Sequence, residues 1–238
     1  MAKLLILKYS GEYIIAMGDT IDCVALINYL SQKQRLLLLT MHHTARTIRS
    51  FFPAQCNLDF ALLNNLHDFE NVKRSYGAVE ITAAENDAPY DYQHFEIATL
   101  YSKAGLPYSE RHKYCTIKSQ AEKTVQIEPP NQPYVFIPEG GSPGRYRVDR
   151  KYVKKGLLEI VPPQDAYMLS YAKIIENATE IHCHPTSWPR LIEKLPTKGK
   201  LFMHHYARPT NIKPGNWKKF GVIEKQWKQL MWHLECRR

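Results

Sequence analysis

The stretch EIHCHPTSWPRLIEKLPTKGKLFMHHYA occupies positions 180–207 and decides how the chain is read. Residues 180–184 read as a strand, 187–195 as a helix and 200–207 as a second strand. A Pro-Thr-Ser corner joins the first strand to an amphipathic segment, and Thr-Lys-Gly returns the chain to the next strand. That is a β-α-β unit, and such units build parallel sheets with helices on their faces.

Working outward, the pattern recurs. YVFIP (134–138) and LLEIV (157–161) are further strands, and residues 166–177 read as a helix. In the first half, LLILKY (4–9) is a strand. A helix opening near Asp19 turns Ile21, Val24, Ala25, Ile27 and Leu30 inward. LLLLT (36–40) is continuously apolar, as expected of a strand covered on both faces. Residues 42–52 look helical up to Pro53, which cannot continue a helix. GAVEI (77–81) reads as a strand, and 92–103 as a helix closed by Gly105-Leu106-Pro107.

The fold class is therefore α/β, with two small Rossmann-like halves built on parallel sheets. The expected boundaries are 1–117 for the first half and 134–238 for the second. The polar, Pro-rich passage KSQAEKTVQIEPPNQP (118–133) links them. A cleft between the halves is the expected place for a site. At the end, NWKKFGVIEKQWKQLMWHLECRR (216–238) places Phe220, Ile223, Trp227, Leu230, Met231 and Leu234 at helical spacing. This reads as an amphipathic helix closing the second half; its basic face also suits peripheral contact with anionic lipid.

A net charge of +9, from 32 basic and 23 acidic residues, favours anionic partners: nucleic acid, an acidic membrane surface or a phosphorylated small molecule. No apolar run approaches the roughly 18–20 residues that cross a bilayer. MAKLLILKYSGEY reads as a first strand rather than a signal peptide. The five cysteines are odd in number and never spaced CxxC, which suits buried thiols in a reducing compartment. Asn177-Ala178-Thr179 matches a glycosylation acceptor pattern, which reads as coincidental without a secretion signal. The expected location is cytoplasmic, peripheral on the inner face of a membrane if the last helix touches lipid.

Four groups of residues suggest chemistry. His182 and His184 share a strand face, with Cys183 on the other and His204 and His205 on the next strand. They lack HxxxH or CxxC spacing, so the metal expectation is none; polar strand-end or cleft-lining roles fit better. Thr186 and Ser187 begin a helix at a sheet edge, where a plain N-cap and a phosphate cradle are both open readings. The loop EGGSPGRYRVDRKY (139–152) offers Arg145, Arg147, Arg150 and Lys151 to phosphate oxygens, or to solvent. The Gly18-Asp19 pair opens the first helix. Asp19 is either its N-cap or a general base, with Glu12 a weaker candidate.

GDTID near the start, AGLPYSERH (104–112), GRYRVDRKY and the run IIENATEIHCHPTSWPRLIEKLPTKGKLFMHHYAR (174–208) resemble two-Rossmann, GT-B-fold glycosyltransferases. More narrowly they resemble small glycosyltransferase-like proteins of marine bacteria and their viruses. The resemblance implies a nucleotide-sugar donor bound by the second half, with Arg145, Thr186 and Ser187 on its phosphates; the loop reading adds Arg147 and Lys151 to that donor-phosphate set. It implies an acceptor, a glycan or lipid-linked one, on the first half near Gly18 and Asp19; beside it, Asp19 is the candidate catalytic base and His182 and His184 are expected to line the cleft. It implies no cofactor and no bound metal. That group reads Asp-Ser-Ser-Phe where this chain has His184-Pro185-Thr186-Ser187-Trp188. Two alternatives stand beside it: a nucleic-acid-binding protein using the basic C-terminal helix and Arg-rich loop, for which no recognised motif is present, and an inactive glycosyltransferase-like binding protein.

Overall fold

The computed structural model describes residues 2–9, 12–13, 16–65, 68–82, 92–141, 144–145, 147–204 and 218–220. The chain divides into two compact units, Met1–Lys123 and Thr124–Arg238.

The first unit contains β1 (Lys3–Tyr9), β2 (Glu12–Tyr13), α1 (Met17–Ser31), β3 (Leu36–Met41), α2 (Ala45–Ser50), β4 (Leu58–Leu63), α3 (Asp68–Ser75), β5 (Ala78–Thr82), α4 (Tyr92–Lys103) and α5 (Ile117–Lys123). Its parallel strands lie in the order β5-β1-β3-β4, and β2 is a short antiparallel return on the end of β1. Strand order therefore reverses between β1 and β5. Alternation puts Leu4 and Ile6 on one face with Leu37, Leu39 and Leu63, where Phe69 of α3 packs. Leu5, Leu7, Leu36 and Leu38 point the other way and are buried too. Both faces being covered is why LLLLT carries no polar residue until its end. Each such side chain contributes about 1.5–3 kcal/mol on burial.

Helix α1 is enclosed on nearly every side: Ile21, Cys23, Val24, Leu26 and Ile27 are at or below 1% exposure. Its buried polar groups are met within the unit, as buried polar groups must be. Asn28 Nδ2 donates to the Tyr114 carbonyl at 3.0 Å, and the Tyr101 hydroxyl donates to the Asp22 carbonyl at 2.9 Å.

The second unit contains β6 (Tyr134–Phe136), β7 (Gly140–Gly141), β8 (Gly144–Arg145), β9 (Leu158–Ile160), α6 (Ala172–Asn177), β10 (Glu180–Cys183), α7 (Ser187–Ile192), β11 (Lys200–His204) and β12 (Lys218–Phe220). Five parallel strands lie in the order β9-β6-β10-β11-β12, reversing between β6 and β10. The register sorts the side chains: Val135, Glu159, Glu180, His182, Phe202 and His204 share one face. Tyr134, Phe136, Ile181, Cys183 and Met203 share the other. Gly199, just before β11, is fixed by a close approach: a Cβ there would lie 2.2 Å from the Ala178 carbonyl oxygen. Both units are thus parallel, helix-flanked and Rossmann-like.

Three stretches differ from the sequence expectation. The passage expected as a linker begins inside α5, because KSQAEK is made of good helix formers. Beyond it the chain is attached to the second unit, with Ile127 N donating to Ser170 O at 2.8 Å and Gln126 Nε2 to Leu169 O at 3.1 Å. Strand β4 and helix α3 were not assigned from the sequence. Lys218–Phe220, expected as the start of the closing helix, is instead the strand β12 paired in parallel with β11. Residues 205–217 and 221–238, with His205 and the rest of that helix, lie outside the described residues. Among the described residues no helix is long and apolar enough to cross a membrane.

Candidate functional site

In open parallel sheets, ligands bind beyond the C-terminal ends of the strands at the point where strand order reverses. In the second unit that point lies between β6 and β10. Beyond β6 come Ile137-Pro138-Glu139 and the hairpin β7-β8, in which Gly140 pairs with Arg145 and Gly141 with Gly144. Beyond β10 come His184-Pro185-Thr186-Ser187 and α7. The two loops singled out in the sequence thus leave one sheet edge from neighbouring strands.

Thr186 is the N-cap of α7: its backbone is extended, and its hydroxyl oxygen accepts from the Trp188 amide at 3.4 Å. Every residue from Ile181 to Ile192 is buried except Ser187. Of the pair, Ser187 therefore meets solvent at this edge, while Thr186 shapes the corner. The backbone of Arg145 stands in the hairpin at the same edge, and Arg147 is exposed just beyond it.

Arg150 and Lys151 of this loop are already paired with carboxylates. Arg150 Nε donates to both carboxylate oxygens of Glu159 at 3.1 and 2.9 Å, and its Nη1 donates to Glu139 at 2.6 Å and to the Val148 carbonyl at 2.9 Å. Glu139 also accepts from Val148 N at 3.0 Å, so it ties the end of β6 to the returning chain. Lys151 pairs with Asp149 at 2.7 Å across a short 3₁₀ turn, and this contact holds the Asp149 carboxyl below the usual carboxylate range. Where the sequence suggested a row of cations, the structure pins Arg150 between Glu139 and Glu159 and pairs Lys151 locally. Their acidic partners were present in the sequence, but nothing in the spacing of Glu139 and Glu159 marks them as neighbours of one arginine.

The histidines were expected to line a cleft, and the structure buries them: His182, His184 and His204 are all at 0% exposure. His182 Nε2 lies 3.2 Å from Glu180 Oε2, and its Nδ1 lies 2.9 Å from His204 Nε2. The His182 ring stacks on Phe202 with centroids 4.4 Å apart. His184 Nδ1 donates to the His204 carbonyl at 2.9 Å. Burial draws His182 below the ordinary histidine value, against an upward pull from Glu180. Among the described residues, no group of three or more His, Cys, Asp or Glu side chains is placed to hold a metal ion. Cys183 is fully buried on the opposite face, which pushes its thiol well up. Glu180, which organises this cluster, was not singled out in the sequence; its spacing of two from His182 on a strand is the signal that places both on one face.

In the first unit, strand order reverses between β1 and β5, and α1 follows β1. Ala16 is the N-cap of α1, so Asp19 is not its cap. Asp19 lies in the first turn and, like Gly18, is partly exposed. A carboxylate there is favoured by the positive end of the helix dipole. The side chain of Glu12 lies outside the described residues.

No protein-family profile matches the chain, and comparison with curated proteins finds no match. Among solved structures, the fold is similar to the iron-containing dodecameric glycosyltransferase TibC of enterotoxigenic E. coli, with a TM-score of 0.52 and 9% identity. The likeness covers 93% of this chain and 63% of that one, so this chain spans less than two thirds of the structure it matches. The fold is glycosyltransferase-like.

Proposed function

We propose that the chain is a glycosyltransferase moving a sugar from a nucleotide-sugar donor to a glycan or lipid-linked acceptor. In this reading its two units take a GT-B-like arrangement, and it belongs with the small glycosyltransferase-like proteins of marine bacteria and viruses that its motifs resemble. The observation that carries the proposal is the likeness of nearly the whole chain to a glycosyltransferase fold. The donor diphosphate belongs at the edge between β6 and β10. There Ser187 reaches solvent, and the Gly140-Gly141 and Gly144-Arg145 hairpin supplies glycine backbone. Arg145 and Arg147 supply cations in place of a divalent metal.

The acceptor hydroxyl attacks the anomeric carbon. Its bond to that carbon forms as the bond from the carbon to the diphosphate oxygen breaks, and the diphosphate leaves with the electron pair. The hydroxyl proton goes to a base, a role given to Asp19. A ligand that binds only the folded state raises its melting temperature. A thermal-shift screen against UDP, GDP, CMP, ADP, dTDP and their sugar conjugates is expected to show a selective rise with one nucleotide. Turnover of that conjugate should follow. No shift with any of them overturns the donor assignment, and a shift without turnover identifies a binding protein.

A further inference from the structure

Among the described residues, the crossover from β6 to β9 holds no α-helix. Residues 147–157 run across the polar face of the sheet as a strap, with Val148, Val153 and Leu157 packed against Val135 and Ile137. Beside that apolar seat lies the buried row Glu180, His182 and His204. The strap is bonded to it: Lys154 N donates to Glu180 Oε2 at 3.2 Å, the same oxygen that meets His182. The Tyr152 ring lies against His204, centroids 5.8 Å apart.

The contacts fix the tautomers. As a carboxylate, Glu180 only accepts, so His182 carries its proton on Nε2. Neutral His182 then accepts at Nδ1, and His204 donates from Nε2. One further proton can be shared by the two imidazoles, because the Glu180 charge offsets it. A second cannot: two N–H groups would face each other across 2.9 Å, with like charges on stacked rings. The other charged or titratable groups bearing on the row, among the described residues, include Arg150, Glu159 and Asp149 on or beside the strap, Tyr152 and His184, and Lys200 of β11, which stands beside Glu180 in the register. Phe202 from β11 adds only apolar surface.

We propose that the Glu180–His182–His204 row is a pH-operated latch on strap 147–157, closed while the imidazole pair holds at most one extra proton and released when it takes up a second. The strap also bears the exposed cations Arg147, Lys151, Lys154 and Lys155, so release frees the most basic segment of the second unit. The latch does not depend on the glycosyltransferase reading.

The test is amide hydrogen exchange of the full chain, corrected for intrinsic rates, followed from pH 7.5 to 5. Protection of residues 149–155 is expected to fall by about tenfold per pH unit for each proton taken up on opening, while β10 and the strands of the first unit stay protected. His204→Gln keeps an N–H donor for His182 but takes up no proton, and is expected to flatten the response. Unchanged strap protection at pH 5 overturns the latch. So does loss of strap and β10 protection in one step, or an unaltered response in His204→Gln. Should that variant not fold, the ring nitrogen shifts of the wild-type histidines decide: opening must track the second protonation of the pair, and opening before it overturns the proposal.

Discussion

The two faces of the second unit's sheet are built on opposite principles. On one, Phe136 meets Trp188 edge-on at 5.4 Å and Tyr171 at 5.7 Å, and the Tyr134 hydroxyl donates to the Ile174 carbonyl at 2.8 Å. This face is cohesive because apolar area leaves water, and it is indifferent to pH. On the other, carboxylates, imidazoles and a guanidinium bond to one another beneath a strap with little regular structure. Its cohesion depends on its partners being present and on their charge. The same strands β6 and β10 contribute to both, so alternation alone separates a structural face from a responsive one.

Truncation on the apolar face should cost most. Phe136→Ala, at a fully buried position, is expected to destabilise the second unit by about 3–5 kcal/mol in chemical denaturation, through lost burial and a cavity. On the polar face, Arg150→Ala leaves Glu139 and Glu159 without their shared cation. The arginine side chain is 40% exposed, so solvent moderates the loss, and about 1–2 kcal/mol is expected. If Arg150→Ala proved as costly as Phe136→Ala, the contrast between the faces would fail.

The third expectation is the pH response. Burial holds His182 below its ordinary value in the folded state, so the unfolded chain takes up a proton the folded one resists. The sign follows: stability is present above about pH 6.5 and falls as pH drops below it, by at most about 1.4 kcal/mol per pH unit for one such group. Denaturation at pH 7.5 and 5.5 checks this, and His182→Gln should reduce the difference. The smallest effect is chemical: Cys183, buried on the apolar face with its thiol pushed up, should resist alkylation at pH 8 in the folded protein and react on unfolding. Labelling of native Cys183 would show that face to be open.

Much of the fold was legible because it rests on local apolar runs. Strands β1, β3, β6, β10 and β11 announce themselves as unbroken or alternating apolar segments, and α4 by its spacing and its Gly-Leu-Pro stop. LDFALL of β4 was harder, since Asp59 interrupts it, and three residues such as Lys-Lys-Phe carry no periodicity of their own; β12 exists because β11 offers a free edge. At the candidate site, the loops at positions 139–147 and 184–187 were legible as glycine-rich and hydroxyl-rich corners. What was not legible was pairing: which acid meets Arg150, and that His182 meets His204 across a sheet. Those contacts join residues 9–22 positions apart; strand register sets the histidine pair, and the path of the strap over the sheet sets the pairs of Arg150.

The central claim is that the edge between β6 and β10 holds a nucleoside diphosphate, and calorimetric titration tests it most directly. The nucleotide selected by the thermal screen would be titrated into the wild-type chain and into Thr186→Ala/Ser187→Ala, both first shown to be folded. The expected result is saturable one-site binding that weakens about tenfold or more in the variant, the worth of roughly one hydrogen bond to a charged group. Equal affinity in the two proteins would contradict the assignment of this edge.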